Sequence, residues 1–185
     1  MSKSEHDRPS VAPRFAVVDR GSAGASPSHG APAPLPRRAH PAHGVKIDTF
    51  KPTIVFITVC TKDRAPWLAS PDVHELLVSV WSGATAWLVG RYAIMPDHIH
   101  LFATPNGIDI PLDNWVRYWK SQFSKRHRND QHHWQTDHWD RRLRDDQSYD
   151  GEWEYVRTDP VRHELVEKPE DWPYQGELNV LRWND

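Results

Sequence analysis

Beyond residue 50, strand-patterned and helix-patterned segments follow one another in a regular order that restricts the fold. Residues 53–60 are β-branched and aromatic, which is typical of a buried strand. A helix is predicted to begin after the cap residue Ser70. Its apolar residues recur at i, i+3, i+4, i+7 and i+8: Val73, Leu76, Leu77, Val80 and Trp81. Residues 86–95 and 98–104 are joined by Pro96-Asp97, so we predict a hairpin.

The chain then repeats the helix and strand pattern. A second amphipathic helix is predicted from apolar residues on helical spacing: Leu112, Trp115, Val116, Trp119 and Phe123. We expect a short fourth strand within residues 133–143 and a helix over residues 146–158, ended by Pro160. The order β-α-β-β-α-β predicts an α+β, ferredoxin-like split βαβ fold with an antiparallel sheet, helices on one face and a tyrosine-bearing C-terminal helix. Many unrelated functions use this fold, so function must be inferred from a site.

The first 46 residues differ in composition from the rest. Ala, Ser, Pro and Gly make up 25 of the first 50 residues, which contain none of the ten Trp. Such a segment cannot bury enough apolar surface to offset the entropy lost on ordering. We therefore predict a disordered extension over residues 1–46 and a folded domain over residues 47–185. A spurious upstream start codon is an equally open explanation of the extension.

Composition excludes several classes of protein. No apolar run reaches the roughly 18 residues of a membrane span, and the N-terminus lacks the pattern of a secretory signal. The one cysteine, Cys60, cannot form an internal disulfide, so we expect a cytoplasmic protein. Residues 111–144 carry 8 Lys/Arg against 4 Asp/Glu. This basic centre favours a polyanionic partner, although an ordinary solvated surface explains it equally well.

His98 and His100 form the first candidate site. They are two residues apart on a predicted strand, where side chains alternate between faces, so both imidazoles point to one side and can share a metal ion. The spacing by itself is weak evidence, because the chain contains 12 His. A solvated hairpin with no bound metal is the alternative.

Three segments carry a resemblance to a known family. The segment MPDHIHLF, which contains both His residues, resembles the signature of REP-associated tyrosine transposases, a branch of the single-tyrosine HUH nucleases. The downstream segment WEYVRTDPVRHELVEKPEDWPY is similar to the family's tyrosine block, and HHWQTDHWDRRLRDD resembles the tract before it. The likeness spans roughly residues 50–175. Two motifs at consistent separation are far more specific than either alone.

The resemblance implies a metal-dependent DNA endonuclease and strand transferase. His98 and His100 would bind a divalent ion, Mg²⁺ or Mn²⁺, that polarises a phosphate of single-stranded or hairpin DNA, as in repeated extragenic palindromes. A tyrosine would attack that phosphate, leaving a 5′-phosphotyrosine link and a free 3′-hydroxyl. A nearby cation suits this chemistry, because phenol with a pKa near 10 is a weak nucleophile at neutral pH.

Tyr155 is the predicted nucleophile, since it is the tyrosine that matches the family's motif. It lies about 120° from Tyr149 around the predicted helix, on the flank of the apolar stripe. Tyr149 belongs to the stripe itself. Tyr92, in an apolar strand, and Tyr118, on the second helix, are interpreted as packing residues.

Asp159 is the predicted third metal ligand. It follows Tyr155 by four residues, on the same side of a helix. The family usually has Asn or Gln at the matching position, and the Asp found here leaves the metal preference and the strength of catalysis open. Asp159 could instead only cap the helix C-terminus, where a carboxylate is unfavourable without a cation. Glu152 is then the reserve oxygen ligand.

Cations interleaved with tryptophans are the predicted DNA-binding residues, because guanidinium groups pair with phosphates and aromatic rings stack on unpaired bases. They are Arg117, Lys120, Lys125, Arg126, Arg128, Arg141, Arg142 and Arg144. Two alternatives to a nuclease remain: a non-catalytic hairpin-DNA-binding module descended from such a transposase, and an unrelated RNA-binding protein. We expect association with the nucleoid, and leave open whether the protein is a monomer or a homodimer.

Overall fold

The computed structural model describes residues 53–143 and 145–182. The predicted extension over residues 1–46 lies outside these described residues, and so does Arg144. Nine helices and strands are named within them: β1 (Val55–Cys60), α1 (Pro71–Gly83), β2 (Trp87–Ile94), β3 (His98–Pro105), α2 (Leu112–His127), β4 (Trp139–Arg142), α3 (Asp146–Arg157), α4 (Asp159–Arg162) and β5 (Gln175–Glu177). Short 3₁₀ turns lie at Lys62–Arg64 and Pro169–Asp171.

The fold class is the one that the patterning predicts. All strand pairings are antiparallel, and the sheet order is β4-β1-β3-β2-β5. The first four strands therefore have the arrangement of a split βαβ fold. Each predicted helix and strand is present, with ends that differ by a few residues.

Strand β5 is an addition to the predicted fold. Its sequence, Gln-Gly-Glu, has no β-branched or aromatic residue, and it forms because its backbone pairs with Arg91, Tyr92 and Ala93 of β2. Gly176 is required at this edge, because a Cβ there would lie 2.7 Å from the Tyr92 hydroxyl. The pairing depends on backbone groups, which leave little trace in sequence patterns.

Helices α1 and α2 pack on one face of the sheet, which we call the helix-layer face. Its core is rich in aromatic residues, including Trp81, Trp87, Trp115, Trp119 and Phe123. Every second strand residue points into it, as Ile57 of β1 and Leu101 of β3 do. The apolar stripes predicted for the two helices are the residues buried here.

Helix α3 packs on the opposite face, which we call the site face. Tyr149 and Val156 of α3 lie with Phe56 of β1 and Phe102 of β3 in a second, smaller core. The C-terminal helix thus lies across the sheet from α1 and α2. Among the described residues, no helix is long and apolar enough to cross a membrane.

Candidate metal and tyrosine site

Strand β3 places His98 and His100 on the site face. The residues between and beyond them, Ile99 and Leu101, point into the helix-layer core and are fully buried. His100 lies opposite Thr58 of β1, and His98 lies opposite Cys60. The alternation expected for a strand therefore brings both imidazoles to one side, where His98 is 5% exposed.

Asp159 completes the cluster from the other side. Its Oδ2 lies 3.3 Å from Nε2 of His98 and 3.5 Å from Nε2 of His100, and the two Nε2 atoms are 3.0 Å apart. Asp159 is buried at the first position of α4. Helix α3 ends at Arg157, before Pro160, as predicted, and Pro160 lies in the first turn of the new short helix α4, where a proline is tolerated.

The outer nitrogens of both imidazoles have partners. His98 Nδ1 lies 2.7 Å from Oδ1 of Asp97, and His100 Nδ1 lies 3.0 Å from Oγ1 of Thr58. When each Nδ1 carries a proton and donates it, both Nε2 atoms present lone pairs toward Asp159. Two nitrogens and one carboxylate oxygen then converge, and this donor set fits a divalent cation such as Mn²⁺.

The electrostatics of the cluster keep Asp159 ionised. Burial would raise the pKa of its carboxyl, but hydrogen bonds with His100 and His98 hold that pKa well below its usual range. Burial disfavours the protonated form of both imidazoles and lowers the pKa of His100. For His98, hydrogen bonds to Asp159 and Asp97 outweigh burial and raise the pKa. Protonation of His98 therefore competes with a bound cation more strongly than protonation of His100 does.

Arg64 supports the cluster from the turn after β1. Its Nε donates to Oδ2 of Asp97 at 2.6 Å, and its Nη1 donates to Sγ of Cys60 at 3.0 Å. Both Asp63 and Arg64 have left-handed backbone angles, with φ of 55° and 58°. Non-glycine residues adopt this conformation at a cost, and here it accompanies the contact between Arg64 and Asp97. The pairing of β1 with β3 brings Arg64 and Asp97 together, and no pattern in the sequence predicts this contact.

Tyr155, the predicted nucleophile, is exposed. Its side chain is 59% exposed, whereas Tyr149 and Tyr92 are buried in the cores, as predicted. Tyr118 differs from its predicted packing role. It is 50% exposed on α2, because it lies outside the apolar stripe that enters the helix-layer core.

Arg162 of α4 joins Tyr155 to the cluster. Its guanidinium carbon lies 4.0 Å from the centroid of the Tyr155 ring, and its Nη2 donates to Oδ1 of Asp159 at 2.5 Å. Sequence reasoning missed this residue, although it follows Asp159 by three positions, a spacing that brings side chains together on a helix.

The predicted DNA-binding cations that the structure describes do not form one surface. Helix α2, which carries Arg117, Lys120, Lys125 and Arg126, packs on the helix-layer face, away from the His pair. Its exposed cations are Arg117, Lys125 and Arg126, and Arg128, which directly follows the helix, is also exposed. Lys120 is buried and donates to the carbonyls of Gln135 and Thr136, so its ammonium group is not available to a phosphate. This lysine instead fixes the segment before β4.

Strand β4 carries the two remaining described cations. Arg142 is exposed, and Arg141 pairs with Glu152 of α3. Arg141 lies opposite Phe56, so it points to the site face, the same side as the His pair. Glu152, the reserve metal ligand, is engaged by Arg141 and does not belong to the His-His-Asp cluster.

The fold and the cluster together define an α+β domain that holds a His-His-Asp group beside an exposed tyrosine. No protein-family model matches the chain. A solved structure described as the "REP associates tyrosine transposase bound to a REP hairpin" shares the fold. Its TM-score is 0.59 at 24% sequence identity, over 68% of this chain and 76% of that one.

Two curated proteins are similar in sequence. A Haemophilus influenzae protein named "Putative REP-associated tyrosine transposase" is 28% identical over 144 residues, which are 70% of this chain and 82% of that protein. The Escherichia coli REP-associated tyrosine transposase is 28% identical over 87 residues, 46% of this chain and 52% of the relative. The resemblance to REP-associated tyrosine transposases read from the motifs is thereby confirmed.

Proposed function

We propose that this protein is a metal-dependent, single-strand DNA endonuclease and strand transferase of the transposase type, acting at hairpin DNA. One observation carries the proposal. The buried cluster of His98, His100 and Asp159 stands beside Tyr155, an exposed tyrosine that precedes Asp159 by four residues. Both the ligand cluster and a candidate nucleophile are thus on the site face.

The residues that would hold a divalent metal are His98 and His100 through Nε2, and Asp159 through Oδ2. When bound, Mg²⁺ or Mn²⁺ would supply positive charge that polarises a phosphate and stabilises charge developing on it. The chain's own contribution is orientation. Asp97 and Thr58 hold the outer nitrogen of each imidazole, so that both lone pairs point inward.

Tyr155 would act as the nucleophile. Its phenolic oxygen forms a bond to phosphorus and loses its proton to solvent, while the bond between phosphorus and the 3′-oxygen of the preceding nucleotide breaks. The 3′-oxygen takes up a proton, and the 5′-phosphate stays on Tyr155. A 3′-hydroxyl that attacks the phosphotyrosine reverses these bonds, which is the strand-transfer step.

Hairpin DNA is the proposed partner. The solved structure that shares this fold is that of a protein bound to a REP hairpin. On this chain, an open cavity of about 350 Å³ is lined by the cations Lys62 and Arg64, together with Asp63, Trp134, Gln135 and Thr136. Arg64 contacts Asp97, the partner of His98. Through Arg64, a phosphate held in this cavity would lie near the His pair, and Arg141 is a further cation, on the site face.

A covalent-adduct assay tests the proposal. The full chain is incubated with Mn²⁺ and end-labelled single-stranded oligonucleotides that carry an imperfect palindrome and randomised flanks. We expect a protein–DNA adduct with the wild type and none with Tyr155→Phe. Tyr118→Phe is the matched control, because Tyr118 is similarly exposed but lies on α2.

Each outcome separates the candidate functions. An adduct that persists in Tyr155→Phe contradicts the assigned nucleophile. A mobility shift with wild-type protein that never leads to an adduct indicates the non-catalytic hairpin-binding module. Preference for RNA over the hairpin DNA, with no adduct, indicates the unrelated RNA-binding protein.

A further inference from the structure

The side chain of Arg162 spans the two parts of the site. One side of its guanidinium group contacts the ring of Tyr155, at 4.0 Å from the centroid. Its Nη2 donates to Oδ1 of Asp159 at 2.5 Å, and its Nη1 donates to the backbone carbonyl of Tyr155 at 2.7 Å. A planar group with several fixed donors can hold two partners in one relative orientation, which a flexible ammonium cannot.

The contact with Arg162 divides the roles of the two carboxylate oxygens of Asp159. Oδ1 accepts from the guanidinium group, while Oδ2 faces the two imidazoles. The carboxylate therefore presents a single oxygen to the His pair, as an amide side chain does, and the neighbouring cation offsets its negative charge. A carboxylate without such a partner could rotate and offer both oxygens to a metal ion.

The same residue restrains the candidate nucleophile. Tyr155 is 59% exposed, so core packing does little to fix its ring. The guanidinium group stacked on that ring supplies a cation–π contact. A nucleophile held in a near-attack orientation reacts faster than one that samples many rotamers.

We propose that Arg162 is a positioning residue that fixes Tyr155 relative to Asp159 and makes Asp159 a single-oxygen ligand. This inference rests on the proposed function, since it assumes that Asp159 binds a metal and that Tyr155 attacks a phosphate. The competing explanation is that Arg162 acts only as a helix brace, a side chain that stabilises the C-terminal end of α3. Arg162 Nη1 bonds the Tyr155 carbonyl and Oγ1 of Thr158, groups that lie where a helix leaves carbonyls unpaired.

Arg162→Gln distinguishes these roles, with Arg157→Gln as the matched control. Both arginines are 37% exposed at the side chain and pair with an acidic residue three positions earlier, but Arg157 pairs with Glu154, which is outside the cluster. Calorimetry measures Mn²⁺ affinity, and a second assay measures the rate of adduct formation with the hairpin oligonucleotide. Both are carried out below the melting temperature. Thermal melts report the helix brace.

For Arg162→Gln we expect Mn²⁺ to bind about tenfold more tightly, because Oδ1 of Asp159 loses the cation that occupies it and offsets the carboxylate charge. The rate of adduct formation should fall at least about tenfold, because Tyr155 loses its restraint. A brace alone would lower the melting temperature and leave both quantities unchanged in the folded protein. Arg157→Gln should behave as the wild type in Mn²⁺ affinity and adduct formation.

A double-variant cycle gives the decisive comparison. In the Asp159→Asn background, Arg162→Gln should change Mn²⁺ affinity much less than in the wild type, because the carboxylate on which it acts is absent. Equal changes in both backgrounds, or no change in either, overturn the inference while leaving the proposed function intact. A wild type that neither binds Mn²⁺ nor forms an adduct overturns the proposed function, and this inference with it.

Discussion

The helix-layer face of the sheet is sealed by large apolar side chains, whereas the site face carries ionisable groups at neighbouring positions of the same strand. Ile99 and Leu101 of β3 are fully buried under α1 and α2, while His98 and His100 point the other way toward Asp159. Because side chains on a strand alternate between the two faces, residues that stabilise the core and residues of the candidate site are adjacent in sequence. Substitutions on the two faces should therefore differ in what they change.

The largest expected effect is a loss of stability on the helix-layer face. Trp119 of α2 is fully buried in the helix-layer core. Trp119→Ala should lower the free energy of unfolding by about 3–5 kcal/mol, since it removes a large buried side chain and leaves a cavity. Chemical denaturation measures this change, and calorimetry should find the Mn²⁺ affinity of the folded protein unchanged. Trp153→Ala, at the edge of the site-face core, should cost less stability. An equal loss would contradict the difference between the two faces.

Removing a ligand should have the converse effect on the site face. His98→Ala, His100→Ala and Asp159→Ala should each weaken Mn²⁺ binding by at least about 100-fold, more than is typical for residues that only support a ligand. Asp159→Asn keeps one oxygen donor but removes a negative charge, so we expect cleavage with a higher Mn²⁺ concentration for half-maximal activity. Metal titrations beside thermal melts test this. Superimposable titration curves for wild type and Asp159→Asn would remove Asp159 from the site.

A smaller effect is expected at Asp97, which contacts a candidate metal ligand but is not one itself. Asp97→Asn removes the charged acceptor that holds Nδ1 of His98 and that pairs with Arg64. Mn²⁺ affinity should fall about tenfold, because the imidazole loses part of its orientation and basicity. Calorimetry measures the change. Asp72→Asn, an exposed acid at the start of α1, is the control and should leave the affinity as it is.

Mn²⁺ affinity should depend on pH through His98. Its pKa is raised above the ordinary 6.5 by hydrogen bonds to Asp159 and Asp97, despite burial. Its contribution to the stability of the metal-free fold is therefore present below pH 6.5 and is lost as the pH rises through the folded value. Mn²⁺ binding runs the other way and should weaken by up to about tenfold per unit as the pH falls below that value. Calorimetry in buffers of different ionisation enthalpy should detect proton release. Its absence would contradict this assignment.

The smallest expected effect lies just beyond α4. Glu164 is exposed and has a left-handed φ of 56°, which costs a non-glycine residue free energy. Glu164→Gly should raise the free energy of unfolding by about 0.5 kcal/mol, after the entropy cost of glycine is subtracted. Glu167→Gly, at an exposed position without positive φ, should instead destabilise. Denaturation curves for both variants check the sign.

Much of the fold could be predicted because its signals are local. The apolar spacing of α1 and α2, and the apolar runs of β1 to β3, identify each element without knowledge of the others. Strand β5 could not be predicted, because its residues have no strand preference and it forms by backbone pairing with β2. The exposure of Tyr118 was also missed, since helical spacing alone placed it too near the apolar stripe.

The sequence by itself determined the order of the elements, the common side of His98 and His100, and the motif that marks Tyr155 and Asp159. Only the tertiary structure decided which charges meet. It placed Arg64 against Asp97 across paired strands, buried Lys120 under the segment before β4, and joined Arg162 to Asp159 and Tyr155. The reason is physical. Periodicity reports which side of an element faces the core, whereas an ion pair depends on distances between elements that only packing sets.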